Sequence, residues 1–296
     1  GVIARKFSKN KPKILFDIRG FFPEEYTDAG IWPKKGWVYR SVKRVEKWLL
    51  AESDGFVVLT EKARDIMFPG SAESGRDERG RPVEVIPCCV DLSRFPAIEA
   101  HRRIDARNKL QIGDRFVLAY VGSFGGWYLS DEMFELFAAA RDLDPTVFIL
   151  ILTQRNADVV ARQITALGFG EGDFFVDSVL STEIPYYLNM ADAAVSFIKP
   201  CYSKQASSPT KNAEYLASGL PFIANPGVGD VDRNILDDQV GVLVKGFGRD
   251  DYEAAIRQLE DLGDIRDTCR DSAKKRFDLK TVGGVRYRRV YKRLLG

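Results

Sequence analysis

Ser208-Pro209-Thr210-Lys211, followed three residues later by Glu214, is the stretch of this sequence best equipped for chemistry. Ser208 is a good helix N-cap, Pro209 suits the first helical position, and Gly219 falls where a helix would stop before an apolar run. The pattern predicts a short helix over residues 211–218 with a free N-terminus. Such a terminus offers unpaired N–H groups and a partial positive charge to an anion, and Lys211 adds a full charge in the first turn. Glu214 lies on a neighbouring face. A carboxylate there, beside a diphosphate, can accept both hydroxyl hydrogens of a ribose, as the acidic residue of dinucleotide-binding folds does. The same two side chains also fit an exposed i,i+3 ion pair, and spacing alone leaves both readings open.

Three further places carry candidate groups. Asp17-Ile18-Arg19-Gly20 ends an apolar run, where α/β folds place functional side chains. Asp17 or Arg19 faces a cleft in one reading, and in the other Arg19 pairs with Asp17 or Glu24. Gly227-Val228-Gly229-Asp230 reads as a flexible loop over a cleft, its glycines, Gly229 among them, suited to close approach by a ligand. Lys199 and Lys204 stand close enough in sequence to Lys211 to assist it with charge. The only histidine, His101, lies in a polar stretch, so no Ser-His or His-metal constellation can be assembled. Cys88, Cys89, Cys201 and Cys269 lack C-x-x-C spacing, so neither a zinc site nor a disulfide framework is expected.

The elements that must position these groups alternate. Short apolar runs at 13–17, 55–60, 83–87, 116–121, 146–153, 174–176, 193–197, 221–224 and 240–244 read as strands. Amphipathic stretches at 40–51, 129–141, 157–167, 183–190, 211–218 and 252–262 read as helices. The rhythm is that of β-α-β units and parallel sheets. Residues 68–81 read as an exposed loop, and the polar stretch 91–114 as a domain boundary. Three strands before that boundary would bury little, so the first portion reads as incomplete. The 296 residues are 45% hydrophobic and 29% charged, ordinary for a folded soluble chain, and no run approaches a membrane span. With no signal-peptide pattern at residue 1, a cytoplasmic location is expected.

At Glu214-Tyr215-Leu216-Ala217-Ser218-Gly219-Leu220-Pro221-Phe222-Ile223-Ala224 the sequence resembles the retaining glycosyltransferases of family 4, also called group 1, in the E-x-x-A-x-G-x-P-V-I-A signature. Val85-Ile86-Pro87-Cys88-Cys89-Val90-Asp91 with Phe95 is similar to the family's V-I-P-N-G-V-D-x-x-x-F linker, and Ala119-Tyr120-Val121-Gly122-Ser123 to its donor-domain strand and glycine turn. The resemblance implies an α/β fold of two Rossmann-like domains, the GT-B arrangement. It implies a partial acceptor-side domain over 1–95, a linker over 96–114, a nucleotide-sugar domain over 115–275, and a C-terminal helix over 276–296 returning to the first domain. Donor-binding residues would be Gly122, Ser123, Ser208, Thr210, Lys211 and Glu214. The substrates would be a nucleotide-sugar donor, such as a UDP-sugar, and a sugar or lipid-linked acceptor, with no metal or other cofactor and no nucleic acid.

Two departures stand out. Ala206 occupies the position, eight before Glu214, where many members carry an acid, and Gly122-Ser123-Phe124-Gly125-Gly126-Trp127-Tyr128 lacks the usual Arg and Lys after the glycine turn. The Ser-Ser-Pro-Thr-Lys variant resembles bacterial surface-polysaccharide enzymes. Alternatives are a non-catalytic nucleotide-sugar-binding module and a sugar-nucleotide epimerase of the same fold. A net charge of +2 argues against a nucleic-acid binder. Cations at Arg40, Lys43, Arg44 and Lys47 flank Val38, Val42, Val45 and Leu49 at helical spacing, and residues 274–293 carry nine cations against Asp278. These stretches fit a helix packed on the core with its cations solvated, or else peripheral contact with the inner face of a membrane.

Overall fold

The computed structural model describes residues 1–96, 100–154 and 156–296; residues 97–99 of the expected linker lie outside the described residues. Each of the nine apolar runs forms a strand: β1 Leu15–Ile18, β2 Gly55–Val58, β3 Val83–Val85, β4 Val117–Val121, β5 Phe148–Leu152, β6 Phe174–Asp177, β7 Ala193–Ser196, β8 Phe222–Ala224 and β9 Gly241–Leu243. They make two sheets, one of order β1-β2-β3 and one of order β6-β5-β4-β7-β8-β9. Every pairing within them is parallel. The runs of β2, β4 and β5 are continuous rather than alternating in hydrophobicity because these parallel strands are covered on both faces and buried throughout.

Successive residues of β4 serve opposite faces of the larger sheet. Val117, Ala119 and Val121 join Tyr215, Leu216 and Phe277 on one side. Leu118 and Tyr120 join Phe137, Tyr252 and Leu259 on the other. The strand order reverses between β4 and β7, which opens a crevice at their carboxyl ends.

On the smaller sheet, Phe56, Val58 and Val85 pack with Phe21, Phe68 and Ala206. Val57 and Ile86 on the opposite face are covered by Val290 of the Val285–Leu295 helix. That helix is held by polar contacts as well: Arg286 donates to the Val85 carbonyl at 2.7 Å, Tyr287 to Asp17 at 2.8 Å, and Arg289 pairs with Glu84 at 3.1 Å. Lys275 and Arg276 are paired with Asp238. Much of the basic run 274–293 is therefore committed to intramolecular contacts.

Three stretches differ from the sequence expectation. The polar boundary contains a helix, Ala100–Lys109, anchored by arginines as well as by the buried Ala106: Arg103 and Arg107 both reach Asp192, at 2.7 and 3.2 Å. The loop expected at 68–81 includes a short helix, Ser71–Ser74. The Trp37–Glu52 helix has no buried residue; Leu50 only lies against the first-sheet core, while Trp37 is 76% and Val45 52% exposed. Its apolar positions are thus half-exposed, not core. No helix among the described residues is long and apolar enough to cross a membrane.

Candidate functional site

The crevice between β4 and β7 is wedged by the helix Thr210–Ala217. Val121 N donates to the buried Tyr215 hydroxyl at 2.9 Å, and that hydroxyl donates to the Val195 carbonyl at 3.2 Å, so one side chain ties the helix to both strands. The helix starts after Pro209, with no side chain capping it; the Asn212 N–H donates back to the Pro209 carbonyl at 3.1 Å, which leaves those of Thr210 and Lys211 available. This corrects the capping role expected of Ser208, whose Oγ instead accepts from Cys88 N at 3.1 Å. Thr210 is exposed at the helix start.

Lys211 projects from this first turn to the end of β4. Gly122, the residue after β4, has φ +142°, and a Cβ on it would stand 3.0 Å from Lys211 Nζ. The ammonium lies 3.2 Å from the Tyr120 hydroxyl and 4.2 and 4.1 Å from the centres of the Tyr120 and Tyr128 rings. Aromatic faces attract a cation without neutralising it. Lys211 is 9% exposed, so the exposed ion-pair reading fails. Burial pushes its pKa down to about 7, against a through-space pull from Glu214. A buried cation without a counter-charge in bonding range is a poor stabiliser and a good receiver of an anion.

Glu214 is half-buried on the same helix, and burial raises its pKa, opposed by the charges of Arg94 and Lys211. Arg94 itself donates to the Ser181 carbonyl at 2.7 Å. Ser123 is exposed beside the glycine turn, its carbonyl accepting from the Tyr120 hydroxyl at 2.6 Å. Gly122, Ser123, Thr210, Lys211 and Glu214 thus belong to the strand end and helix start that meet at the crevice.

The remaining candidates are placed differently. Lys199 is exposed, and its N–H donates to the Trp127 carbonyl at 2.8 Å. Lys204 is buried, with Nζ 3.0 Å from Glu25 and 4.0 Å from the centre of the Trp127 ring. Gly229 has φ +46°, and a Cβ there would come within 2.0 Å of the Ser207 carbonyl oxygen. Its glycine is required by the chain's own close approach rather than by a ligand. The loop expected to be flexible is pinned, because the Asp230 carboxylate accepts from Glu61 N at 2.7 Å and Lys62 N at 3.3 Å at the start of the Glu61–Met67 helix. Asp17 accepts from Tyr287 and pairs with Arg19 at 3.5 Å, the structural member of the two readings. Ala206, where many group 1 sequences carry an acid, is 2% exposed and packs in the first-sheet core.

Sequence reasoning missed Tyr120, Tyr128, Tyr215 and Arg94. In sequence the three tyrosines look like core, and only their polar ends, arriving where two strands diverge, mark them out.

The family model of the group 1 glycosyl transferases matches residues 102–276, more than half of the chain. A D-inositol 3-phosphate glycosyltransferase of Geodermatophilus obscurus is 30% identical over 228 residues, 72% of this chain and 47% of the relative, so the chain spans about half that protein's length. Among solved structures, Anabaena HepE in complex with UDP superposes with a TM-score of 0.72 at 14% identity, over 98% of this chain and 76% of its own. Sucrose-phosphate synthase from Thermosynechococcus elongatus superposes with a TM-score of 0.66 at 18% identity, over 94% and 68% respectively. These likenesses establish the GT-B fold, and the family match, with its signature lying on the helix that carries Lys211 and Glu214, makes this chain a member of the group 1 glycosyl transferases.

Proposed function

We propose that the protein transfers a sugar, a hexose in the simplest case, from a nucleoside diphosphate donor to an acceptor hydroxyl with retention of configuration. The observation that carries the reading is Lys211, a buried ammonium with no carboxylate within bonding range among the described residues, set beside an uncapped helix start and the Gly122 turn. A diphosphate supplies the missing negative charge. As the bond from the anomeric carbon to the diphosphate oxygen breaks, charge grows on that oxygen, and the ammonium and helix N–H groups stabilise it in place. The acceptor oxygen forms the new bond to the anomeric carbon and its proton passes to the leaving diphosphate. Glu214 holds the ribose hydroxyls. No step in this scheme calls for a metal.

UDP is the favoured nucleotide because the HepE structures are complexes with UDP, UDP and glucose, and UDP-glucose. In this reading the two sheets belong to acceptor-side and donor-side domains joined through residues 96–114. The acceptor is a sugar or lipid-linked sugar of polysaccharide or glycoconjugate synthesis, met at the inner face of the membrane, as the half-exposed Trp37–Glu52 helix with its flanking cations suggests. Ala206 favours a second reading, a module that binds nucleotide sugars without turnover. Calorimetry against UDP-, GDP-, ADP- and CMP-sugars tests the donor assignment, and absence of binding to all four overturns it. Slow hydrolysis of a bound donor identifies the enzyme; binding without any release of nucleoside diphosphate identifies the module.

A further inference from the structure

Residues 203–208, which lead the chain into the Lys211 helix, are held almost one by one from the first sheet. Asp28 accepts from Ser203 N at 2.9 Å, and Glu25 receives Lys204 Nζ at 3.0 Å. Thr60 Oγ1 donates to the Gln205 carbonyl at 2.7 Å, Ala206 packs with Phe21 and Phe56, and Cys88 N donates to Ser208 Oγ at 3.1 Å. These partners come from the Phe22–Asp28 helix, from the ends of β2 and β3, and from the core between them. A cavity of about 30 Å³, room for one water, lies alongside, lined in part by Ser207, Ser208 and Asn212. Both amide atoms of Asn212, a residue 4% exposed, lack a protein partner.

Lys204 touches both sides of the cleft. Glu25 sits over Gly20, just past the carboxyl end of β1, with Oε1 3.3 Å from where a Gly20 Cβ would stand. Trp127, under the Lys204 ammonium, belongs to the turn after β4, and its neighbour Tyr128 lies against Lys211. Two paths therefore run from Glu25 to Lys211: along the backbone from 204 to 211, and through Trp127 and its sequence neighbour Tyr128.

We propose that Glu25 is a positioning residue for the nucleoside diphosphate: by pinning Lys204 across the cleft it fixes segment 203–208 and with it the helix start that carries Lys211. The inference rests on the diphosphate assignment above. It differs in sign from a simple charge effect. If Glu25 merely opposed the phosphates as a nearby negative charge, its removal would tighten binding; if it pins the segment, removal loosens binding.

The test is calorimetric titration with whichever of UDP, GDP and ADP the unaltered protein binds most tightly, alongside melting curves. Glu25→Gln is expected to weaken binding roughly tenfold, an ordinary coupling between sites. The charge swap Glu25→Lys with Lys204→Glu restores the pair and recovers most of that loss, although the sign of the charge at each position is reversed. Asp28→Ala, which frees the same segment at Ser203, weakens binding in the same direction and adds less than independently to Glu25→Gln. This second cycle decides the matter if the swap does not fold. Unchanged or tighter binding in Glu25→Gln, or full additivity with Asp28→Ala, overturns the inference alone. An unaltered protein that binds none of the three nucleotides overturns the diphosphate reading, and the inference with it.

Discussion

Gly122 and Lys211 meet so closely that a single methyl group at position 122 would stand 3.0 Å from the lysine nitrogen. The contact joins the end of the β4 strand to the first turn of the crevice helix. Gly122→Ala is accordingly expected to lose twice, because φ +142° strains any side chain and the new methyl displaces the ammonium. UDP affinity should fall at least tenfold, ~1.4 kcal/mol or more, and thermal melting should confirm a smaller loss of stability. A Gly122→Ala variant that binds UDP as the parent does would remove Lys211 from the site.

Lys211→Met is expected to separate stability from function. It removes a buried, poorly compensated charge and keeps the volume, so the ligand-free protein should melt at the same temperature or higher. Binding of UDP should weaken by about 1.5–3 kcal/mol, the size of a charge-assisted contact, while uridine binding barely changes. Equal weakening of both ligands would show that the lysine does not face phosphate.

The depressed Lys211 pKa, about 7, has a definite sign. The unfolded chain holds this proton up to about pH 10.4, so between about pH 7 and pH 10 the unfolded state binds more protons and the ligand-free protein gains stability as pH rises. The diphosphate complex needs the charged form. UDP affinity should therefore decline above about pH 7, and binding at pH 8 should take up protons, read from calorimetry in two buffers of different ionisation enthalpy. Binding without proton uptake at pH 8 contradicts this account.

Glu214→Gln should erase discrimination between ribo- and 2′-deoxyribonucleotides, since one acceptor oxygen becomes a donor at a site needing two acceptors. Competition between UDP and dUDP for the parent and the variant is the measurement. A parent protein that does not distinguish them has no ribose clamp at this carboxylate.

Co-sedimentation with liposomes examines the Trp37–Glu52 helix. Association should require anionic lipid, fade as salt is raised, and weaken in Trp37→Ala, because Trp37 is 76% exposed. Equal sedimentation with neutral vesicles would remove the part assigned to the cations, and none under any condition would favour a soluble acceptor.

All nine strands were legible in the sequence, the clearest being β2, β4 and β5, because a parallel strand buried on both faces leaves an uninterrupted apolar run. The Ala100–Lys109 helix was not, since its anchors are Arg103 and Arg107 on Asp192, and charged anchors look like solvent-facing residues until their partner is placed. The signature helix announced Lys211 and Glu214 through residue type and spacing. It could not announce Tyr120, Tyr128 or Tyr215, whose part depends on where two strands diverge, nor the hold that Asp28, Glu25 and Thr60 keep on residues 203–205. Those contacts are set by the approach of two sheets, which no local pattern encodes. Ser208 misled for a related reason: a good capping residue was claimed by Cys88 from another part of the chain.

The Val285–Leu295 helix covers the Val57 and Ile86 face of the first sheet from far along the chain, its Arg286 bonded to a carbonyl 201 positions earlier. During synthesis at roughly 5–20 residues per second, that face waits on the order of ten seconds or longer before its cover leaves the ribosome. The first sheet thus matures only after that helix has been made, and until then it presents apolar surface to chaperones. A truncation after Gly284 would damage the protein far from the cut, leaving the first sheet with its Val57 and Ile86 face bare.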